Sequence, residues 1–449
     1  MNLREVHKVY FIGIGGIGMS ALAQWFKTQG KEVSGYDKTP SPVTQSLLEK
    51  GIHVHFEDAI EAIPFEPDLV VFTPAIPAFH KGLQHFKNQG VTMLKRAQVL
   101  GLISNAGQSI AVAGTHGKTT TSAMLAHIYN TCLGNVNAFV GGIMANYNSN
   151  FLGGEAGGKV ILEADEFDRS FLQLKPYNAA ITSTDADHLD IYGSESDLES
   201  TFSQFGSLVT NILLVKKDLD LKISGSSKVY SYGIENHADF AVQNINVNNG
   251  KFVFDLKYPE GCLNGLELAM PGRHNVENAA AAIGLSLLDG IQADDVKDAL
   301  ASFKGVKRRF EHIAQNDKTT YIDDYAHHPK ELNAAISAAK ELFKDKKITG
   351  IFQPHLFSRT RDFMPEFAKA LEALDTVLLL DIYPAREEPI SGVTSSALLD
   401  LMDHSDKRLV TKDEVVALAS ELAPEVLMTL GAGDIDRLVQ PLKTAIETA

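Results

Sequence analysis

Cysteine is almost absent from this chain. Cys132 and Cys262 are the only two in 449 residues, and they lie far apart. This excludes a disulfide framework and a cysteine-built zinc cluster. It fits a reducing, cytoplasmic setting, with both thiols expected in the interior. No run of 18 apolar residues occurs, so no membrane-spanning helix and no membrane insertion are expected. Positive charge is in deficit. The net charge of −15 is spread along the chain without an acidic tail, which argues against nucleic acid and anionic membranes as partners. Repeats and low-complexity tracts are missing too. The segment from Met1 to Lys8 is charged and the apolar run behind it is broken by glycines, so it reads as a first strand, not a signal peptide.

What remains is an ordinary globular composition, 44% hydrophobic and 22% charged. The length suggests about three domains. Strand-like and helix-like stretches alternate throughout, which predicts parallel α/β architecture. Strands are expected at Val9–Ile12, Glu32–Tyr36, Leu69–Phe72, Ser109–Ala113, Val160–Leu162, Ala179–Thr182, Ile348–Phe352, Val377–Leu380 and Val426–Leu430. A hairpin is expected from Asp239 to Tyr258 around Asn248-Asn249-Gly250. Helices are expected at Gly16–Gln29, Asn275–Leu288, His328–Phe343 and Arg359–Leu374. The polar stretch Ser104 to Gly107 reads as a linker. The expected domains are 1–105, 106–309 and 310–449.

The richest stretch is Gly114-Thr115-His116-Gly117-Lys118-Thr119-Thr120. A strand leads in and a helix leads out, which is the build of a phosphate-binding loop. Helix-start N–H groups and the helix dipole favour an anion there. Lys118 would reach the terminal phosphates of ATP, and the Thr119 hydroxyl would meet Mg²⁺. The loop is shorter than the usual spacing, because Val112 stands where the first glycine would be. A second signature, Gly13-Ile14-Gly15-Gly16-Ile17-Gly18, also joins a strand to a helix, with Asp37 after the next strand. It would hold a phosphate or pyrophosphate, NAD being the rival ligand.

Two acidic loops follow strands at the carboxyl end, where ligands bind in such sheets. They are Glu163-Ala164-Asp165-Glu166 and Asp185-Ala186-Asp187-His188-Leu189-Asp190. Their oxygens suit Mg²⁺, and His188 is a candidate ligand of a second ion. Asn275 opens an Ala-rich helix, and helix capping is the simpler role for it. Pro329 suits the first helical position with His328 as cap. His355, Arg359 and Arg361 follow another strand, where arginines suit carboxylate or phosphate.

Together these motifs resemble the Mur ligase family of peptidoglycan synthesis. The resemblance rests on the phosphate loop, Glu163-Ala164-Asp165-Glu166, Asp187-His188-Leu189-Asp190, His274-Asn275 with Asn278, and Asp323-Asp324-Tyr325-Ala326-His327-His328-Pro329. It is nearest to the alanine-adding branch, through Phe11 to Ser20, Phe352-Gln353-Pro354-His355 and Ile382-Tyr383-Pro384-Ala385-Arg386-Glu387. It implies three α/β domains: a Rossmann-like sheet, a central ATP-binding domain with antiparallel hairpins, and a C-terminal Rossmann-like domain closing over both. It also implies that L-alanine is joined to UDP-N-acetylmuramate through an acyl phosphate, with ATP and two Mg²⁺ ions, Mn²⁺ being a substitute.

The implied ATP residues are Gly114 to Thr120, His274, Asn275, Asn278, Arg309 and Asp324. Thr119, Glu163 and His188 would hold metal. The implied UDP-substrate residues are Gly13, Gly15, Gly16, Ile17, Gly18, Asp37, Thr73 and Arg96. Tyr325, His327, His355 and Arg359 would face the reacting carboxylate and amine, with His327 taking the amine's proton. A monomer or weak homodimer is expected. Relatives in that branch often read His-Arg-Phe where this chain has His355-Leu356-Phe357, which leaves Arg359 and Arg361 as the local cations. Later ligases of the pathway carry a carbamylated lysine after the Asp-His motif, and Gly193 to Val215 contains no lysine. The rival readings are a recycling ligase for a murein tripeptide, an NAD-dependent oxidoreductase, and a nucleotide-gated binding protein.

Overall fold

The apolar runs of the sequence become strands of three sheets. The computed structural model describes residues 1–155, 157–185, 189–225, 227–235, 237–248, 250–385 and 387–448. The first sheet is parallel throughout, in the order His53–His55, Glu32–Tyr36, Lys8–Ile12, Leu69–Phe72, Thr92–Lys95. Its central strand reads as continuous hydrophobic sequence because both faces are covered. Val9 and Phe11 join one buried cluster, and Tyr10 and Ile12 join another.

The second sheet has ten strands. Its parallel centre sets Ser109–Ala113 between Asn178–Ile181 and Lys159–Ala164, so the loops after all three emerge side by side. The expected hairpin is present as the neighbouring strands Phe240–Asn248 and Lys251–Tyr258, with Asn249 itself outside the described residues. The third sheet runs Glu311–Gln315, Thr320–Asp324, Val426–Leu430, Ile348–Phe352, Thr376–Leu379, Lys407–Leu409, and its first pair is antiparallel.

The chain gathers into two compact units. One comprises Met1–Asn244, Phe254–Leu266 and Glu277–Lys304, and includes the whole first sheet. The other comprises Ile245–Val253, Glu267–Val276 and Gly305–Ala449. Within the first unit, helix Ile17–Thr28 lies on the central sheet's outer strands. Gln24 donates to Asn150 (3.1 Å), and Asn150 donates to Ser20 Oγ (3.1 Å). Trp25 packs edge-on to Phe26 and 6.4 Å from Phe139.

Three expectations change. Ser104 and Asn105 belong to helix Arg96–Asn105, and the buried Ser104 hydroxyl pairs with Ser109 at 2.9 Å, so of the expected linker only the exposed Ala106 and Gly107 lie outside the helix. The expected helix from Arg359 to Leu374 is two, Phe357–Asp362 and Met364–Leu371. Pro365 is the reason, since it has no N–H and its ring clashes with a carbonyl four residues back. The thiols are not interior. Cys262 is exposed on the sheet's terminal strand, and Cys132 is half-buried at the end of helix Lys118–Leu133.

Candidate functional site

In the first unit, the phosphate loop is built by close approach of backbone. Gly114 has φ +141° and Gly117 has φ +82°, the latter as the cap residue of helix Lys118–Leu133. A Cβ on Gly114 would lie 2.8 Å from the Ser183 nitrogen, and one on Gly117 would strike the Asn278 amide. The loop is clamped by the residues after strand Asn178–Ile181. Ser183 Oγ accepts the His116 N–H (2.7 Å) and meets Thr115 Oγ1 (2.8 Å), while the Thr182 hydroxyl donates to His116 O (2.5 Å). His116 Nε2 lies 3.8 Å from Asp185.

Lys118 donates to Gly114 O (2.5 Å) and forms an ion pair with the buried Glu166 (2.8 Å). Burial alone would push its ammonium toward neutrality; Glu166, Glu163 and Asp165 outweigh that and keep it charged. Thr119 donates its hydroxyl to Glu163 (3.0 Å), whose other oxygen accepts the Gly141 N–H (2.8 Å). A threonine hydroxyl beside a carboxylate is a hard-oxygen pair that fits Mg²⁺, with phosphate and water completing its shell. Among the described residues, no group of three or more His, Cys, Asp or Glu is arranged for a metal. Asp187 and His188 lie outside the described residues.

The glycine loop of the first sheet is organised by Asp37, which accepts the Gly15 N–H at 2.7 Å. A carboxylate spent on the loop itself is not poised for a ribose hydroxyl, which weakens the NAD reading. Gly13 and Ile14 donate to Tyr36 O, and Thr73 packs against Gly13. Gly16 caps helix Ile17–Thr28, so the N–H groups of Ile17 and Gly18 fall in the first turn, where a helix has no internal partners for them. Arg96 lies against Gly18 and pairs with Asp165 at 2.9 Å.

In the second unit, residues 308–331 form a charged cluster. The Arg308 and Arg309 guanidiniums each lie 5.2 Å from the Tyr325 ring centroid. Both Asp324 oxygens accept backbone N–H groups, of Phe310 and Ala326, each at 2.7 Å. Burial raises its pKa to about 6, and Arg309 opposes this. Arg309 approaches Glu331 at 3.7 Å. His327 Nδ1 faces two acceptors, Tyr325 O (3.0 Å) and Glu331 (3.2 Å), so Nδ1 carries the proton and Nε2 the lone pair. Burial lowers its pKa to about 4, against the pull of Glu331, with Arg359 adding to the fall. His274 is likewise lowered to about 4 by burial and Arg309.

The His355 ring stacks on Tyr383 (5.7 Å) and lies 6.0 Å from that of His327. Leu356 follows with φ +69° and ψ 136°. Its N–H donates to Tyr383 O (2.9 Å), and its carbonyl accepts the N–H and hydroxyl of Thr360. Arg359 and Arg361 part company. Arg359 is half-buried and acts on His327, whereas Arg361 is exposed on Asp362 (2.7 Å). Arg361 therefore does not join the cluster. His328 caps its helix with Pro329 behind it, as expected. Asn275 is not a cap. Its helix begins at Arg273, and its amide donates back to Pro271 O (2.7 Å).

Comparison with known proteins decides the family. Residues 8–108 match the model described as the Mur ligase family catalytic domain, 112–286 the Mur ligase middle domain, and 308–435 the Mur ligase glutamate ligase domain. The chain belongs to the Mur ligase family. It is 48% identical to the UDP-N-acetylmuramate–L-alanine ligase of Flavobacterium psychrophilum, over 100% of each chain. It is 47% identical to that of Porphyromonas gingivalis, over 98% of this chain and 99% of the other. Among solved structures, the UDP-N-acetylmuramate–alanine ligase of Thermotoga maritima superposes with TM-score 0.85, at 28% identity over 98% and 99% of the two chains. A murein peptide ligase of Psychrobacter arcticus shares the fold, with TM-score 0.70 at 22% identity over 99% of each.

Sequence reading of this Mur ligase missed Thr182, Ser183 and Gly141 as supports of the phosphate loop, and Glu331 as the partner of His327. Thr182 and Ser183 were findable, since they follow a strand parallel to the loop's own. Glu331 lies on the helix His328 caps, four residues after His327, a spacing that places side chains on one face.

Proposed function

We propose that this Mur ligase joins L-alanine to the carboxylate of UDP-N-acetylmuramate, converting ATP to ADP and phosphate, in peptidoglycan precursor synthesis. The full-length 48% identity to a ligase of that name carries the reading. The functional division into 1–105, 106–309 and 310–449 accords with three successive family matches, whose own limits are 8–108, 112–286 and 308–435. The expected setting is cytoplasmic, as a monomer or weak homodimer without nucleic acid. Among the described residues no helix is long and apolar enough to cross a membrane.

A carboxylate resists an amine until its oxygen becomes a leaving group. The helix start at Ile17 and Gly18, with Arg96, holds the substrate's pyrophosphate. Lys118 leaves Glu166 for the β- and γ-phosphates and steadies the phosphoryl group as the muramyl carboxylate attacks it. Thr119 and Glu163 would hold Mg²⁺, with Mn²⁺ as a substitute and His188 assigned to a second ion. Metal there supplies charge neutralisation for the phosphates. Asn278 and Asn275 serve the nucleotide side, and Arg309, beside Asp324 and Glu331, is assigned to ATP. Tyr325, His355 and Arg359 hold the amino acid. His327 Nε2 accepts a proton from the alanine ammonium, and the neutral amine attacks the acyl phosphate, releasing phosphate.

Phosphate release tests the proposal, measured with ATP, Mg²⁺ and UDP-N-acetylmuramate, and with L-alanine, glycine, L-serine or the murein tripeptide. Release that needs both the sugar nucleotide and L-alanine is expected. Release with tripeptide alone moves the chain to the recycling branch, and none with any amine ends the substrate assignment.

A further inference from the structure

We infer that the backbone of Leu356, held in a conformation usually left to glycine, is the device that positions the alanine-binding groups. This rests on the assignment of His355 and Arg359 to the amino acid. At φ +69° and ψ 136° a residue with a Cβ sits outside the ordinary regions. Such strain persists only where the surroundings over-determine it, and it gathers at functional sites. Here both sides are pinned. Upstream, Gln353 donates to Asp434 (2.9 Å) and accepts the Ile435 N–H (2.9 Å), while Tyr383 donates to Pro354 O (2.8 Å). At the residue itself, the N–H is tied to Tyr383 O. Downstream, Thr360, wholly buried, grips the Leu356 carbonyl with its N–H and hydroxyl.

The outcome is a sharp turn between strand Ile348–Phe352 and helix Phe357–Asp362. The turn is flanked by His355, stacked on Tyr383, and by Arg359 in the helix, and both act on His327. The hydrogen bonds that hold Leu356 run through its backbone. The position works through its main chain. Leu356 is a positioning residue. It fixes the separation of an imidazole and a guanidinium that would hold a small α-amino acid.

The test removes one tie and then the strain it holds, in the full-length enzyme. Thr360→Val deletes the hydroxyl that grips the Leu356 carbonyl, and is expected to raise KM for L-alanine about tenfold, since loosened positioning is costly in such sites. KM for ATP and UDP-N-acetylmuramate should stay within about twofold. Adding Leu356→Gly should bring KM for L-alanine back, because glycine adopts this conformation without strain, whereas adding Leu356→Ala should not. An unchanged KM for L-alanine in Thr360→Val, or equal effects of the two added substitutions, overturns the inference. A fall in Tm with all three KM values raised also overturns it, as a merely structural role. His355→Ala separates the two layers. If it too leaves KM for L-alanine unchanged, the amino-acid assignment itself has failed.

Discussion

Lys118 and Glu166 form the most consequential pair in the first unit. Glu166 is 1% exposed, so removing Lys118 takes the cation from a buried carboxylate. Lys118→Ala should abolish turnover while UDP-N-acetylmuramate binding persists, and it should destabilise the fold by about 3 kcal/mol. Adding Glu166→Gln should restore the lost Tm without restoring turnover. Recovery of activity in the double variant would sink the phosphate-loop assignment. A second residue-scale prediction concerns His327, whose pKa Glu331 holds up. Glu331→Gln should lower that pKa further, read from the imidazole C2 proton by NMR, and should slow alanine-dependent turnover as the base weakens. An unmoved titration would remove Glu331 from the site.

At the scale of elements, the phosphate loop depends on two glycines that no other residue replaces. Gly117→Ala places a Cβ in the left-handed region and against the Asn278 amide. It should raise KM for ATP by about tenfold or more, as a displaced cradle does, while UDP-substrate binding stays nearly as before. Normal ATP affinity would mean the loop has another geometry. The same scale shows what could be read in advance. Strands Leu69–Phe72, Ser109–Ala113, Ile348–Phe352 and Val426–Leu430 were legible because each is a short, mostly apolar run bounded by polar or glycine residues. Strands such as Thr92–Lys95 and Glu311–Gln315 were not, because their side chains are half-exposed and only pairing with a neighbour makes them strands. Lys118 and Thr119 were legible from spacing. The ion pairs Lys118–Glu166 and Arg96–Asp165 were not, since the first joins residues after neighbouring strands of one sheet and the second joins residues after strands of two different sheets.

For the whole molecule, the buried histidines and carboxylates of the second unit give stability a pH dependence in which the two kinds of group oppose each other. His274 and His327 sit at about 4 in the folded chain against an ordinary 6.5. As pH falls through that window the unfolded chain takes their protons first, and stability drops. Asp324, at about 6 against an ordinary 3.8, works the other way, because the folded chain takes its proton first. His312 is lowered with the two histidines, and Glu311 and Asp323 are raised with Asp324, so the net slope is a balance and the testable quantity is one group's share. His327 contributes about 1.4 kcal/mol of lost stability per pH unit between about pH 6 and pH 4. Stability from urea titration should therefore fall less steeply toward about pH 4 in His327→Gln than in the unaltered protein. Equal slopes would contradict a buried neutral His327.

One consequence of the helix laid across the first unit is optical. Trp25 is the only indole in the chain, and it is wedged beside Phe26 and near Phe139 where that helix meets the central sheet. Intrinsic emission excited at the red edge therefore comes from this single spot. Its wavelength shift on denaturation reports when that seam opens and is blind to the second unit. Backbone circular dichroism sees both. Wherever the two signals part along a melting curve, the gap between them is a direct reading of how independently the two units unfold.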